Sequence, residues 1–221
     1  MYVLAVYILT CYSIPQMNNT YTQIPNDEVI EKTAKALQEN NITTHIVENK
    51  EEAKKLALSL IPEQAEVMTM TSVTLDETGI AEVLNDSDNY NSVKTTLSKM
   101  DRKTQSDEMQ KLGAAPDYAI GSVHAVTEEG HVIIASNTGS QLPSYAYGSN
   151  HVVWVVGAQK IVKNTDEGLK RIYEHVLPLE SERAHKAYGV PGSNVSKLLI
   201  INNEVNPQRL TMIIVKENLG F

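Results

Sequence analysis

The sequence predicts an α/β fold in which helices flank a mixed, largely parallel β-sheet. The first third of the chain alternates helical patterns with short apolar runs, as the βα units of a parallel sheet do. Residues 117–157 instead carry three apolar runs in succession, which favours antiparallel additions to that sheet. The chain has 221 residues, of which 42% are hydrophobic and 21% charged. This size and composition are typical of one globular domain that needs no disulfide or metal for stability.

Caps and breakers predict the first elements. Asn26 or Asp27 can cap a helix over residues 28–39, because a short polar side chain there accepts bonds from free N–H groups. Residues 43–47 are rich in β-branched side chains and predict a strand. Residues 50–60 then form an amphipathic helix that stops before a proline.

A strand over residues 66–70 and a third helix are expected next. Ser72 or Thr74 is the expected N-cap of that helix, which has acidic residues in its first turn. Hydroxyl groups at such a turn can also hold a phosphate or carboxylate. Ser72 and Thr74 are therefore candidate ligand-binding residues, with plain helix capping as the alternative. Residues 85–113 are polar and predict surface helices, which form a candidate lid.

The centre of the chain predicts three strands, over residues 117–126, 131–136 and 151–157. A polar loop follows the second strand, and polar loops beside buried strands are common sites of small-molecule binding in α/β folds. The alternative is a solvent loop held by its own short side chains. The candidate ligand-binding residues of this loop are Asn137, Thr138, Gly139 and Gln141.

The last part of the chain predicts a helix over residues 166–177, with Thr165 as its cap. Two prolines and the run YGVPGS predict a loop over residues 179–196. Two closing strands are expected over residues 197–202 and 209–216.

Three titratable residues are candidates for chemistry. Glu128 precedes a turn glycine, and a carboxylate there can act as a nucleophile or general base. The alternative is a charged turn in which Gly130 supplies the positive φ. His124 could titrate near neutrality or be a core residue, and Lys160 could reach an anionic ligand or face solvent. No histidine spacing is typical of a metal site, so no metal is expected.

Charge and cysteine content argue against several functions. A net charge of −8 and a pI near 5.3, without a dense Lys/Arg cluster, argue against nucleic-acid binding. The only cysteine, Cys11, cannot build an iron–sulfur or zinc site alone. It favours the reducing cytoplasm. No nicotinamide fingerprint, P-loop or nucleophile elbow is present, so we expect no cofactor bound by this chain.

The first 16 residues differ from the rest. They are apolar and lack positive charge, yet are shorter than the roughly 20 residues of a membrane span. They also lack the basic region and cleavage site of a signal peptide. We expect a native start at Met17, with residues 1–16 a non-native or disordered extension. The alternatives are a weak membrane or secretion signal and an extra packed strand, which N-terminal sequencing of the native protein would distinguish.

Four segments in a fixed order together resemble the LUD-domain family (lactate utilization, formerly DUF162), whose members include lactate utilization protein C. The match covers residues 26–221, so residues 17–221 are expected to form a single LUD domain. The four segments are the SxTLxExG pattern at 72–79, DYAIGSVHAVTEEGHVIIAS at 117–136, HVVWVVGAQKIV at 151–162 and NPQRLTMIIV at 206–215.

The resemblance implies a fold similar to the superfamily of ribose-5-phosphate isomerase, glucosamine-6-phosphate deaminase and CoA transferases. It implies a cytoplasmic accessory protein of L-lactate oxidation to pyruvate, which binds a small anionic metabolite or docks on iron–sulfur oxidoreductase subunits. In that superfamily the position of Ser72 and Thr74 is a substrate-phosphate loop. The oligomeric state stays open.

The alternative is a stand-alone enzyme of isomerase or CoA-transferase-like type. In it Glu128 is the catalytic carboxylate and the ligand carries a phosphate or CoA. The family usually has AETG where this chain has Thr127-Glu128-Glu129-Gly130. Glu128 therefore aligns with the family's Glu, whereas Glu129 replaces its Thr.

Overall fold

The computed structural model describes residues 19–221. The predicted start at Met17 and the extension over residues 1–16 lie outside the described residues.

The described residues contain ten β-strands in two sheets. Strands β1, β10, β7, β4, β2 and β3 form, in this order, a six-stranded sheet in which every pair is parallel. The second sheet has the order β8-β5-β6-β9, and β6 is antiparallel to both of its neighbours. The predicted α/β fold with a largely parallel sheet is therefore confirmed. The strands are β1 (Thr43–Val47), β2 (Glu66–Thr69), β3 (Asn91–Ser92), β4 (Tyr118–Gly121), β5 (Ala125–Thr127), β6 (Val132–Ser136), β7 (His151–Gly157), β8 (Ile161–Val162), β9 (Lys197–Ile201) and β10 (Leu210–Val215).

Eight α-helices surround the sheets within residues 19–221. None of them is long and apolar enough to cross a membrane. Asn26 caps the first as predicted, because its side chain accepts a bond from the N–H of Val29. The helices are α1 (Asp27–Glu39), α2 (Lys50–Ser59), α3 (Val73–Glu77), α4 (Ile80–Asp86), α5 (Val93–Ser98), α6 (Ser106–Ala114), α7 (Thr165–Arg171) and α8 (Leu177–Tyr188).

The main sheet is buried on both faces. Along β10, Met212 and Ile214 belong to the apolar core that includes α1, whereas Ile213 and Val215 belong to the core that includes α2 and α3. Successive side chains of a strand point to opposite faces, so a strand covered on both sides reads as a continuous apolar run. This accounts for the runs LTMIIV in β10 and HVVWVVG in β7.

The predicted strand over residues 117–126 is wrong as one element. β4 ends at Gly121 and belongs to the parallel sheet, whereas β5 begins at Ala125 and belongs to the second sheet. Gly121 sits where a Cβ atom would overlap the hydroxyl of Tyr145. The chain changes sheet through Ser122–His124. The sheet that we predicted as one mixed structure is therefore two sheets.

The predicted loop over residues 179–196 is also wrong, because α8 runs to Tyr188. Helical backbone continues from α7, which Asn164 caps instead of the predicted Thr165, through a π-helical turn at Ile172–Val176. Pro178 follows that turn and lies in the first turn of α8, where its missing N–H costs little. Gly189, with φ of 67°, ends the helix, as glycine commonly does.

Candidate functional site

A cavity of about 740 Å³ lies between the main sheet and the second sheet. Three of its walls are the segments that directly follow β2, β4 and β7, which are neighbours in the main sheet. Ligands of open α/β sheets bind outside the carboxyl ends of the strands. The position of the cavity therefore makes it the candidate site. The loop after β6 and the helix α8 complete it.

Lys160 is the buried cation of the cavity. It ends the helical turn after β7, is 1% exposed and lines the cavity. Its Nζ donates to Thr74 Oγ1 and Ser122 Oγ, both at 3.1 Å. No Asp or Glu oxygen of residues 19–221 lies within 4.0 Å of that nitrogen. Burial holds the pKa of Lys160 well below its usual range, and the charge of Arg171 lowers it further.

Arg171 places a second cation behind this wall. The side chain is fully buried, and its Nη1 donates to the carbonyl oxygen of His124 at 2.5 Å. Its Nε and Nη2 have no hydrogen-bond partner within the described part of the chain. Burial lowers the pKa of Arg171 to about 10. Arg171, together with Lys160 in its protonated form, gives this end of the cavity a positive potential, which the more distant carboxylate of Glu77 offsets in part.

His124 faces the cavity as a neutral imidazole. Its Nδ1 accepts a hydrogen bond from the backbone N–H of Ala135 at 3.1 Å, so the proton of the neutral ring is on Nε2. Burial lowers the pKa of His124 to about 3, with further contributions from Lys160 and Arg171. Of the two alternatives for His124, these surroundings favour the half-buried neutral residue over one that titrates near neutrality.

Ser72 and Thr74 both line the cavity. Ser72 is the N-cap of α3, where its Oγ accepts from the N–H of Leu75 at 3.5 Å. Thr74 is 1% exposed, and its Oγ1 donates to the carbonyl oxygen of Leu219 at 3.2 Å while it accepts from Lys160. The structure thus gives Ser72 the role of capping α3 and gives Thr74 the role of orienting Lys160.

The polar loop contributes three of its four predicted residues to the cavity: Asn137, Thr138 and Gln141. Gly139 is not among the lining residues. It has φ of 85°, a conformation that favours glycine. Its backbone N–H donates to Ser136 Oγ at 2.9 Å. The role that the structure gives Gly139 is the shape of the loop.

Glu128 lies outside the cavity, in the turn between β5 and β6. Its carboxylate makes an ion pair with Lys32 of α1 at 2.7 Å. The same turn packs on the end of α1, since a Cβ atom on Gly130 would lie 2.5 Å from the backbone of Ala36. The structure therefore gives Glu128 a place in a charged turn and does not bring it to Ser72 and Thr74. A catalytic role for Glu128 stays a prediction.

Two further segments contribute charged residues to the lining of the cavity. The candidate lid over residues 85–113 contributes one lining residue, Arg102, which is exposed. Helix α8 contributes Arg183, which binds Glu180 through two hydrogen bonds of 2.7 Å. Since this pair neutralises itself, Lys160 remains the buried lining cation without an acidic partner in the described chain.

A family model described as the LUD domain matches residues 30–215. This chain belongs to the LUD-domain family. The fold of the LUD domain is similar to that of a DUF162 family protein from Deinococcus radiodurans, with a TM-score of 0.53 and 11% sequence identity. That match covers 87% of this chain and 99% of the other. No curated protein matches the sequence.

Sequence reasoning named Lys160 as a candidate and missed Arg171, the second basic residue of this site. Lys160 was expected to reach an anionic ligand or face solvent, and the solvent alternative is wrong. Arg171 lies in a helical segment with Lys170 beside it, and the sequence does not separate the buried cation from the exposed one. One signal was available for Lys160: it directly follows an apolar run, at the carboxyl end of a predicted strand.

Proposed function

We propose that this LUD domain binds a small organic anion of L-lactate oxidation, such as L-lactate or pyruvate, with its carboxylate drawn towards Lys160. The observation that carries this proposal is the burial of Lys160 without a carboxylate partner among residues 19–221. A buried cation costs free energy unless an opposite charge offsets it. An anion that binds beside Lys160 removes part of this cost, which favours its binding. Membership of a family associated with lactate utilization supports the same class of ligand.

The size of the cavity is compatible with this ligand and with larger ones. Small-molecule pockets in proteins range from about 300 to 1,000 Å³, and this cavity is about 740 Å³. A three-carbon acid would leave most of that volume to water. Phosphate- or CoA-containing ligands are therefore tested beside the small acids. The single cysteine, Cys11, agrees with the reducing cytoplasm, where we place this function.

A thermal-shift screen of the full chain tests the proposal. The ligands are L-lactate, pyruvate, sugar phosphates and acyl-CoAs, each up to the highest concentration at which it is soluble. A ligand at 100 times its dissociation constant stabilises a fold by about 2.7 kcal/mol. We expect stabilisation by L-lactate or pyruvate. A response to phosphates or acyl-CoAs alone would contradict the choice of ligand and favour the isomerase or CoA-transferase-like alternative.

Three variants locate the response. Lys160→Met should abolish it, since the variant removes the cation but keeps the apolar stem. Ser72→Ala should weaken it if that hydroxyl contacts the ligand. Lys32→Met is the matched control, because it removes a lysine that lies outside the cavity and pairs with Glu128. An unchanged response in Lys160→Met would overturn the proposal.

Glu128→Gln separates the binding function from the alternative enzyme. We expect this variant to respond to ligands as the wild type does, because Glu128 does not line the cavity. Turnover of a ligand that Glu128→Gln abolishes, while the variant keeps its thermal stability, would instead support a catalytic carboxylate.

A second candidate function, docking on an iron–sulfur oxidoreductase subunit, has support from β9. This strand is at an edge of the second sheet, where Leu198 is 40% exposed and Ile200 is 38% exposed. Edge strands offer unpaired backbone groups to other chains. Replacing both residues with lysine should abolish co-purification with such a subunit and leave the ligand response intact.

A further inference from the structure

We propose that Lys160 forms an imine with the carbonyl carbon of a bound 2-oxo acid, so that the cavity captures this class of ligand covalently. This inference rests on the proposed function, which supplies the anion, and adds the chemical class of its reactive group. It also separates pyruvate from L-lactate, because only pyruvate has a carbonyl carbon that an amine can attack.

The surroundings of Lys160 distinguish it from the lysines of the surface. Nζ of Lys160 contacts two hydroxyl groups at 3.1 Å on the wall of a cavity. Other lysines of the described chain hold their charge against a carboxylate, with N–O distances of 2.5–2.9 Å. A carboxylate stabilises the ammonium form, whereas the hydroxyl of Ser122 can also donate to a neutral amine. These lysines are Lys32, Lys170, Lys186 and Lys216.

The electrostatic setting favours the nucleophilic form of the amine. An amine must lose its proton before its lone pair can attack, and enzymes achieve this by desolvation or by a neighbouring cation. Both causes act on Lys160, whose pKa is lowered first by burial and then by Arg171. The guanidinium of Arg171 is itself held in place by the carbonyl oxygen of His124.

The reaction needs no oxidant, reductant or cofactor. The lone pair of Nζ attacks the carbonyl carbon, a C–N bond forms, and the oxygen takes up a proton from the nitrogen to give a carbinolamine. The nitrogen lone pair then forms the C=N bond as the C–O bond breaks, and the departing hydroxyl takes up the second proton of Nζ and leaves as water. The hydroxyl of Ser122 is within hydrogen-bond distance of Nζ and can relay the proton. Water reverses the reaction and releases the oxo acid.

Reductive trapping tests the inference on the full chain. The protein is incubated with pyruvate and sodium borohydride, digested and analysed by mass spectrometry for a reduced pyruvyl group on lysine. Lys163 is exposed and three residues away, so it is the internal reference. Each unit by which a pKa falls raises the neutral fraction of an amine at pH 7 about tenfold. We therefore expect at least about tenfold more adduct on Lys160 than on Lys163.

Two variants and one ligand act as controls. Lys160→Arg keeps the positive charge but cannot form an imine, so it should bind pyruvate without an adduct at this position. Lys163→Arg should leave the adduct on Lys160 unchanged. L-lactate should compete with pyruvate and reduce trapping without giving an adduct of its own. A thermal melt of each variant shows that it is folded.

The outcomes separate this inference from the function on which it rests. If pyruvate stabilises the protein but Lys160 is trapped no more than Lys163, the imine is wrong and anion binding stands. If neither pyruvate nor L-lactate stabilises the protein and no adduct forms, both proposals are wrong. An equal total amount of adduct in the wild type and in Lys160→Arg would show that surface lysines are labelled. That result would also overturn the imine at Lys160.

Discussion

The two ends of the main sheet each hold a buried basic side chain, but only one of these side chains contacts a carboxylate. At the amino ends of β7 and β10, Arg209 is 7% exposed and contacts the carboxylate of Glu204 at 2.7–2.8 Å. It also donates to three backbone carbonyl oxygens, of Ser149 at 3.1 Å, Tyr145 at 2.7 Å and Ala146 at 3.4 Å. At the carboxyl ends, Lys160 has two hydroxyl partners and no carboxylate.

This difference separates a structural charge from a charge that is available to a ligand. Arg209 is paired and hydrogen-bonded, as a buried charge must be if it is to cost little. Protonated Lys160 has no carboxylate contact and keeps part of its desolvation cost, which an arriving anion would offset. We therefore expect substitutions at the Arg209–Glu204 pair to lower the stability of the fold. Substitutions at Lys160 are expected to weaken ligand binding instead.

The largest effect is expected at the paired end. Glu204→Gln keeps the shape of the side chain but removes its charge, and it leaves Arg209 buried and unpaired. Breaking a buried pair in this way costs about 3–5 kcal/mol. Urea unfolding at pH 7 measures the loss. Glu182→Gln is the matched control, because it breaks an exposed pair with Lys186 and should leave the free energy of unfolding unchanged. Equal losses of stability in the two variants would show that the buried Arg209–Glu204 pair contributes no more than the exposed pair.

The pH dependence of the free energy of unfolding should report on His124, which lies beside Lys160 at the carboxyl ends of the strands. The pKa of His124 is about 3 in the folded protein and about 6.5 in the unfolded chain. The folded state therefore binds fewer protons in this interval, and stability falls as the pH falls from about 6.5 towards 3. The wild type should lose about 2 kcal/mol between pH 7 and pH 5 from this residue.

His124→Asn isolates that contribution. The amide oxygen of asparagine can accept the bond from Ala135 that Nδ1 accepts now. The variant should therefore keep its stability at pH 7 and show a flatter dependence below pH 6.5. Identical pH profiles of wild type and variant would contradict a neutral His124 whose pKa is lowered, first by burial and then by the charges of Lys160 and Arg171.

A smaller effect, of the opposite sign, is expected for Lys160→Met. Removing an unpaired buried amine removes its desolvation cost, so the free energy of unfolding should stay the same or rise by about 1 kcal/mol. The folded pKa of Lys160 lies below its unfolded value, so the stability of the wild type relative to the variant should rise as the pH rises towards about 10.5. A loss above about 2 kcal/mol at pH 7 would make Lys160 a structural residue like Arg209.

Local patterns predicted the fold better than the site. Asn26, the βα alternation and the apolar runs of β7 and β10 act over short stretches of chain, so helix α1, strand β1 and the parallel sheet could be predicted from them. Helix α8 was missed because Pro178 was taken as a helix terminator. In the structure a π-helical turn precedes the proline, which then lies in the first turn of the helix.

The site depends on residues that are distant in sequence. Lys160 is 86 residues from Thr74 and 38 residues from Ser122. No local pattern indicates that they meet, and burial of a lysine is rare enough that a solvent position is the default. The hydroxyls and the loop amides could be predicted because polar groups at strand ends are a local signal. The same signal made Lys160 a candidate, but its burial and its contacts with Thr74 and Ser122 could not be predicted in this way.

The most direct test of an available charge at Lys160 is an NMR titration of the lysine side chains, with and without saturating L-lactate. Comparison with Lys160→Met assigns the signal. We expect a pKa of Lys160 well below the usual lysine range in the free protein and a higher pKa in the presence of L-lactate, since a bound anion favours the protonated amine. A pKa in the ordinary range that L-lactate leaves unchanged would show that Lys160 does not bind this anion.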